Sequence, residues 1–253
     1  MTSQQFWDHW AWPLAAALIG IVFSALLLRQ YLQRRKPHQL AWFVGFVMYA
    51  LAAAMESYSG YVDGWNPLVY RVYIVLAASL VGFLGLGSVY LVLRRPIWGH
   101  VFLIFNLIFF ALFLYGTLTA TLVPGSLVAG IAVGGKPLGP PLSFPRAYAF
   151  FFNIPGTVAL LGGAVYSIVR FAAKREYRYR VWANVWIALG TLVIAGAGSM
   201  ARTGRTTGLY PAEMVGETLL FIGFLQASTL QKGAMKIRAR REASGAVSTW
   251  QQQ

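Results

Sequence analysis

Apolar residues in this chain come in long blocks that no charge interrupts. Charge-free runs cover Ala11–Leu28, Pro37–Met55, Val72–Leu93, Ile97–Gly135, Ala147–Val169 and Val181–Ala201, and Met214–Gln231 is broken by Glu217 alone. Runs of ~20 apolar residues are the length at which a helix spans a bilayer. The hydrocarbon offers no water, so each backbone polar group must be satisfied within its own helix or a closed barrel. The apolar length therefore reads as helix. The pattern predicts an all-α, polytopic membrane protein with seven spans, over about 11–28, 39–55, 72–93, 98–119, 147–169, 181–201 and 213–231. These form one seven-helix membrane domain over 1–242, followed by a loose polar tail over 243–253.

Composition leaves little room for anything else. Of 253 residues, 58% are hydrophobic and 11% charged, so no sizeable soluble domain fits beside the spans. Cysteine is absent, which removes disulfides, thiol nucleophiles and thiolate metal sites. The first residues, MTSQQFWDHWAW, carry no basic region and no small-residue cleavage site, so they are expected to lead into a retained first helix.

Charge then sets an orientation. With seven spans, 16 Lys/Arg fall on one side: Arg29, Arg34, Arg35, Lys36, Arg94, Arg95, Arg170, Lys174, Arg175, Arg178, Arg180, Lys232, Lys236, Arg238, Arg240 and Arg241. Only 5 fall on the other: Arg71, Lys136, Arg146, Arg202 and Arg205. The positive-inside rule puts the N-terminus outside and the C-terminus in the cytoplasm of a prokaryotic cell membrane. Asp8, Glu56, Asp63, Glu213 and Glu217 are then outer; Glu176 and Glu242 are inner. The net charge of +14 is thus cytoplasmic. It calls for anionic lipid headgroups and not for nucleic acid. The tail QKGAMKIRARRE over 231–242 reads as a basic continuation of the last span near such lipid. Trp7, Trp10, Trp12, Trp42, Trp65, Trp98 and Trp182 lie near span ends, as an interfacial belt requires.

The connections are short except Ala120–Pro145, which holds five Pro and five Gly and joins spans four and five on the outer side. Pro and Gly at this density break helices. The segment is expected to fold back on the outer mouth or to dip into the membrane against protein.

A parallel repeat is also legible. Ala16, Gly20 and Ser24 in span one have the spacing of Ala159, Gly163 and Ser167 in span five. Pro13 and Pro155 open these spans. Gly64-Trp-Asn-Pro67 precedes span three and Gly208-Leu-Tyr-Pro211 precedes span seven; Val81-Gly-Phe-Leu84 matches Ile222-Gly-Phe-Leu225. Small residues every four positions are also the general means by which membrane helices approach closely. The three-plus-one-plus-three plan resembles the sugar facilitators called SWEETs, their PQ-loop relatives and, more distantly, microbial rhodopsins. The resemblance is one of topology: no Pro-Gln pair ends a span, and span seven has no central lysine for retinal, Lys232 lying at its end. The segment GWNPLVYRVYIVLAASL is similar to uncharacterised seven-span proteins of bacteria, a likeness that implies no function.

Ionisable groups at membrane depth are functional candidates by default. Glu217 lies one turn beyond Glu213 on the same helix face. Two carboxylates there repel; they serve a ligand or proton site, or Arg146, Arg202 or Arg205 clamps them. Glu56 ends span two and Arg71 begins span three, so they are expected to pair across the loop. Tyr58, Tyr61, Tyr70 and Tyr73 sit at the same level. Inside the helices the polar groups are Asn106, Asn153 and Asn184; Asn153 is expected to satisfy backbone groups freed by Pro155. His38 and His100 at the inner face are the one conceivable pair of haem ligands, but interfacial roles fit them better and no cofactor or metal is expected. No H-E-x-x-H, phosphate loop, dinucleotide fingerprint or G-x-S-x-G occurs, so enzymatic chemistry is not expected.

The leading expectation is an integral membrane carrier or binding protein for a small molecule. Its pocket would open outward between the two triplets, with Glu56, Arg71, Glu213, Glu217, Tyr58 and Tyr73 in the site and the Tyr58–Pro67 loop at the rim. The alternatives are a non-catalytic subunit or scaffold with protein partners in a membrane complex, and a seven-helix sensor.

Overall fold

The computed structural model describes residues 7–93, 95–128, 134–173, 178–202 and 208–227, with backbone only for Asp8, Ala201 and Arg202. Among these residues every regular element is helical. A π-helical turn, Trp7–Ala11, runs into α1, Trp12–Arg34. Then come α2, Pro37–Tyr61; α3, Pro67–Val92; α4, Pro96–Thr119; α5, Phe150–Ala172; and α6, Arg178–Arg202. A last helical stretch over 209–227 is α7. Lys232 and the tail fall outside the described residues, as do Arg94, Lys174, Arg175, Glu176 and Arg205.

Six helices, α1 to α6, are long and apolar enough to cross a bilayer. At 23 to 26 residues each, they exceed ~30 Å of hydrocarbon at ~1.5 Å per residue. The architecture is that of a helical membrane protein. Exposed faces are apolar: α4 turns Ile97, Val101, Ile104, Ile108 and Leu112 outward.

The helices outrun the charge-free runs because a charge does not end a helix. Proline opens α2, α3 and α4 and stands one residue inside α1, where its missing N–H costs nothing. Asn66 caps α3, accepting from Leu68 N at 2.9 Å and Val69 N at 3.4 Å. Proline does not open α5. Pro155 lies inside that helix, because a 3₁₀ turn, Arg146–Ala149, starts the coil earlier. Asn153 Nδ2 donates to Ala149 O at 2.7 Å and Ala78 O at 3.4 Å. It therefore ties α5 to α3; the carbonyl that Pro155 leaves without its donor is that of Phe151.

Packing runs around a ring. α1 packs on α2, α2 on α3, α3 on α5 and α5 on α6. α7 closes the circle: a Cβ on Gly190 of α6 would meet Gly216 O, and Phe23 of α1 packs on Phe221 and Phe224. α4 stands outside, laid on α3. Its buried stripe is narrow, with Gly99 under Tyr90, Asn106 donating to Gly82 O at 3.2 Å, and Phe113 beside Phe152. Between lipid-solvated helices the attraction is chiefly close packing, so glycine contacts set the registers. At the α3–α5 junction Gly85 meets Gly156, and Gly163 meets Ser88 and Val92. A register-true repeat of the Gly20–Glu217 contact would instead set Gly163 against the Tyr73–Leu76 turn. The two junctions differ in register, and α5 begins well down the side of α3.

Candidate functional site

The two ends of the bundle differ in chemistry. The end that carries Arg29, Arg34, Lys36, Arg95 and Arg170 is the basic end. At the opposite end, α2, α3 and α7 bring acids and tyrosines together. Glu56, one and a half turns before the end of α2, is buried and accepts from Tyr73 OH of α3 at 2.5 Å. Tyr210, in the first turn of α7, is buried beside them, and the half-buried Glu213 lies within electrostatic range of Glu56, Tyr73 and Glu217.

Glu217 is the deepest member. None of its surface is exposed, and among the described residues neither carboxyl oxygen has a hydrogen-bond partner. It occupies a notch that glycine makes: a Cβ on Gly20 of α1 would fall 2.8 Å from Glu217 Oε1 and 3.0 Å from Ala50 Cβ of α2. Tyr49 of α2 is within its electrostatic range. An isolated charge in such surroundings is strongly disfavoured. The interior tolerates this carboxyl when it holds a proton or when a cation neutralises it.

Of the site residues expected from sequence, Glu56, Tyr73, Glu213 and Glu217 come together. Arg71 and Tyr58 do not join them. Arg71 turns to the end of α4, donating to Thr117 O and, at 2.8 Å, to Ala120 O. The Glu56–Arg71 pair is therefore not made: those carbonyls satisfy the guanidinium, and Tyr73 satisfies Glu56. Tyr58 and Tyr61 are exposed, whereas Tyr70 and Tyr73 are buried. Arg146 does not clamp the acids either; it donates to Gly139 O at 2.6 Å. Arg202 and Arg205 lie outside the described side chains.

The expected outward pocket is also closed. The described residues of the segment after α4, 120–128 and 134–145, fold back over the helix ends opposite the basic end. Tyr70 OH donates to Gly134 O at 2.7 Å, Trp65 N–H donates to Leu127 O at 3.4 Å, and Leu138 is buried with Trp65, Tyr70 and Tyr73. What opens at this end is a shallow groove along residues 120–128 that Arg71 and Pro67 line.

Sequence reasoning missed two aromatic residues. Trp65 and Trp42 read as interfacial anchors, but Trp65 is buried, its ring 4.7 Å from that of Tyr73. Trp42 packs inside the bundle, where its Nε1 donates to Leu84 O at 3.1 Å. A signal existed for Trp42: it stands four residues before Phe46 on the face that packs on α3. His38 stacks edge-on against Trp42, and His100 Nδ1 lies 2.8 Å from Pro96 O.

No protein-family model, curated protein or solved structure matches this chain. The site has to be read from its own chemistry.

Proposed function

We propose that this protein is an integral membrane carrier or binding protein for a small molecule, with seven spans, the N-terminus outside and the basic end in the cytoplasm. One observation carries the reading: Glu217 is fully buried, with both carboxyl oxygens unpartnered among the described residues. A structural carboxyl would be paired, since leaving a buried polar group unmade costs ~1–3 kcal/mol or more. Keeping it unpaired makes sense if it engages something that comes and goes. Glu213 lies next to it, Glu56 and Tyr73 lie around Glu213, and the segment after α4 covers that end of the bundle.

The three-plus-one-plus-three plan accords with this reading. α4 stands outside the ring, and α3–α5 and α1–α7 are the two junctions between triplets. The likeness is one of topology rather than register.

The test is purification in mild detergent, followed by mass spectrometry of everything that co-elutes. A defined small molecule in fixed ratio, lost from the Glu217→Gln protein, supports the reading. Stoichiometric protein partners with no small ligand would overturn it in favour of a subunit of a larger complex.

A further inference from the structure

The carboxyl cluster leaves one large feature of the bundle unused. Between the helices toward the basic end lies a cavity with about 70 Å³ open to the centre of a water-sized sphere, several times what one water needs. Every helix of the ring contributes to its wall: Phe23 from α1, Trp42 from α2, Ser88 from α3, Ala164 from α5, Ile187 from α6 and Phe224 from α7. No Lys, Arg, Asp or Glu is among the lining residues.

Glu217 is not among the lining residues; it stands just beyond the wall along α7. Leu220 and Phe224 of the wall follow it by three and seven positions on α7, so they share its face. Phe23 and Leu27 of the wall stand in the same relation to Gly20, the residue that Glu217 meets. The carboxyl is thus about one helical turn, ~5 Å, past the cavity. A single aromatic layer separates them. Phe23 packs with its centroid 3.9 Å from that of Phe46, 5.0 Å from Phe221 and 4.9 Å from Phe224.

We propose that this cavity is the substrate site of the carrier, that its substrate class is the lipophilic organic cation, and that binding exchanges the cation for a proton on Glu217. The inference rests on the carrier reading above and adds the substrate class to it. Three features of the cavity select that class. Its apolar wall offers little to replace the hydration shell of a sugar or an inorganic ion. Its wall holds the rings of Phe23, Trp42, Phe46 and Phe224, and an aromatic face attracts a cation and repels an anion. The acidic group one turn beyond its wall on α7 is a carboxyl with no hydrogen-bond partner among the described residues.

The exchange keeps the interior neutral in both states. Empty, Glu217 is a carboxylic acid; when the cation enters and Phe23 swings aside, the O–H proton leaves to water and the carboxylate pairs with the cation. The titratable groups within electrostatic range of Glu217 are Tyr49 of α2 and Glu213 of α7, and Glu213 in turn lies within range of Glu56 of α2, Tyr73 of α3 and Tyr210 of α7. α1 presents Gly20 to it, and α6 meets α7 through Gly190, Ala183 and Ile187. None of these described neighbours brings a basic group to compete for the carboxylate.

The experiment titrates the purified full-length protein in mild detergent with tetraphenylphosphonium. Tetraphenylborate, of like shape and opposite charge, is the comparison. Calorimetry in two buffers of different ionisation enthalpy counts the protons. The expected result is saturable binding of the cation with release of about one proton per cation, and binding of the anion weaker by about tenfold or more. Glu217→Gln should weaken cation binding about tenfold or more and abolish the proton release. Ala164→Leu, which fills the cavity and leaves the carboxyl intact, should also abolish binding. Equal binding of the two ions, or wild-type affinity in both variants, would overturn the proposal. If Glu217→Gln does not fold, the proton count and Ala164→Leu still decide. Should tetraphenylphosphonium fail to bind while a native small molecule is still lost with Glu217→Gln, the cationic class falls and the carrier reading stands. Where neither is seen, both fall.

Discussion

The α3–α5 junction gives the sharpest quantitative test of the packing. Gly156 of α5 lies directly on the backbone of α3. A Cβ added there would fall 2.4 Å from Val81 O, 2.6 Å from Val81 C and 2.9 Å from Gly82 N. Ordinary contact begins at ~3.5 Å, so the overlap is about 1 Å. It is made against main chain, which cannot turn aside as a side chain does. Three atoms in a row close off sliding as well as direct approach, so the two helices must part. Overpacking of this kind costs ~1–3 kcal/mol. Against that, alanine in a helix gains ~0.5–1 kcal/mol over glycine. Gly156→Ala should therefore lose about 1–2 kcal/mol net.

Gly162, on the same helix, is the internal control, because a Cβ there meets nothing within 4 Å. Gly162→Ala should be neutral or gain up to ~1 kcal/mol. The two alanines, six positions apart, should thus differ by about 2 kcal/mol. The assay is thermal or denaturant unfolding in mild detergent, followed by tryptophan fluorescence. Equal midpoints for the two variants would refute the close approach of α3 and α5, and with it the ring.

The other predictions concern the site and the topology. Glu217→Met replaces an unpartnered buried carboxyl with an apolar chain of similar size, and should raise stability by ~1–3 kcal/mol while removing ligand binding; a lower unfolding midpoint would show that the carboxyl has a structural partner. Tyr73→Phe leaves Glu56 without its donor and should cost ~1–3 kcal/mol, most of it absent in a Glu56→Met background; strictly additive losses would mean that the two groups do not interact. The chain has no cysteine, so single thiols report orientation cleanly. A thiol at Thr121→Cys should react with an impermeant maleimide in intact cells and one at Gln33→Cys only after lysis; the reverse pattern inverts the topology.

What the sequence could show depended on whether a residue's role is local. Helix existence follows from apolar length alone, and the starts of α2, α3 and α4 are marked by their prolines. Glu213 and Glu217 share a helix face by their spacing, which makes half of the acid cluster legible from the chain itself. Glu56 joining it is legible only as a shared membrane level. Its partner is not: Arg71 and Tyr73 are both within reach of the same loop, and the choice is made by the carbonyls at the end of α4, which no spacing reveals. Trp42 and Trp65 look like interfacial residues because they sit near span ends, yet neighbouring helices cover them. The register of α5 against α3 is equally hidden. Gly163 matches Gly20 in sequence, but which residue a glycine faces depends on the partner helix, and Gly85 and Gly156 lock α5 into a lower position.

That register accounts for the placement of both halves of the site. Because α5 meets α3 at Val81–Gly85 through Gly156, the first turns of α3 have no helix beside them on that side. The segment before α5 takes the space: Gly134 accepts from Tyr70, Leu138 packs among Trp65, Tyr70 and Tyr73, and Arg146 holds Gly139. The acid cluster is thereby roofed at its own end. Lower down, past Leu160, α5 presents the small residues Gly163, Ala164 and Ser167 to the ring interior, opposite the large rings of Phe23, Trp42 and Phe46. Small residues facing large ones that already pack against each other leave space, and that space is the cavity. Had α5 kept the register of the α1–α7 junction, Gly163 would face the Tyr73–Leu76 turn and its small-residue stripe would be used up at the level of the acids. The slip of one helix thus roofs the carboxyls at the end opposite the basic one and opens an apolar chamber between them and the basic end, so that aromatic rings stand between that chamber and Glu217.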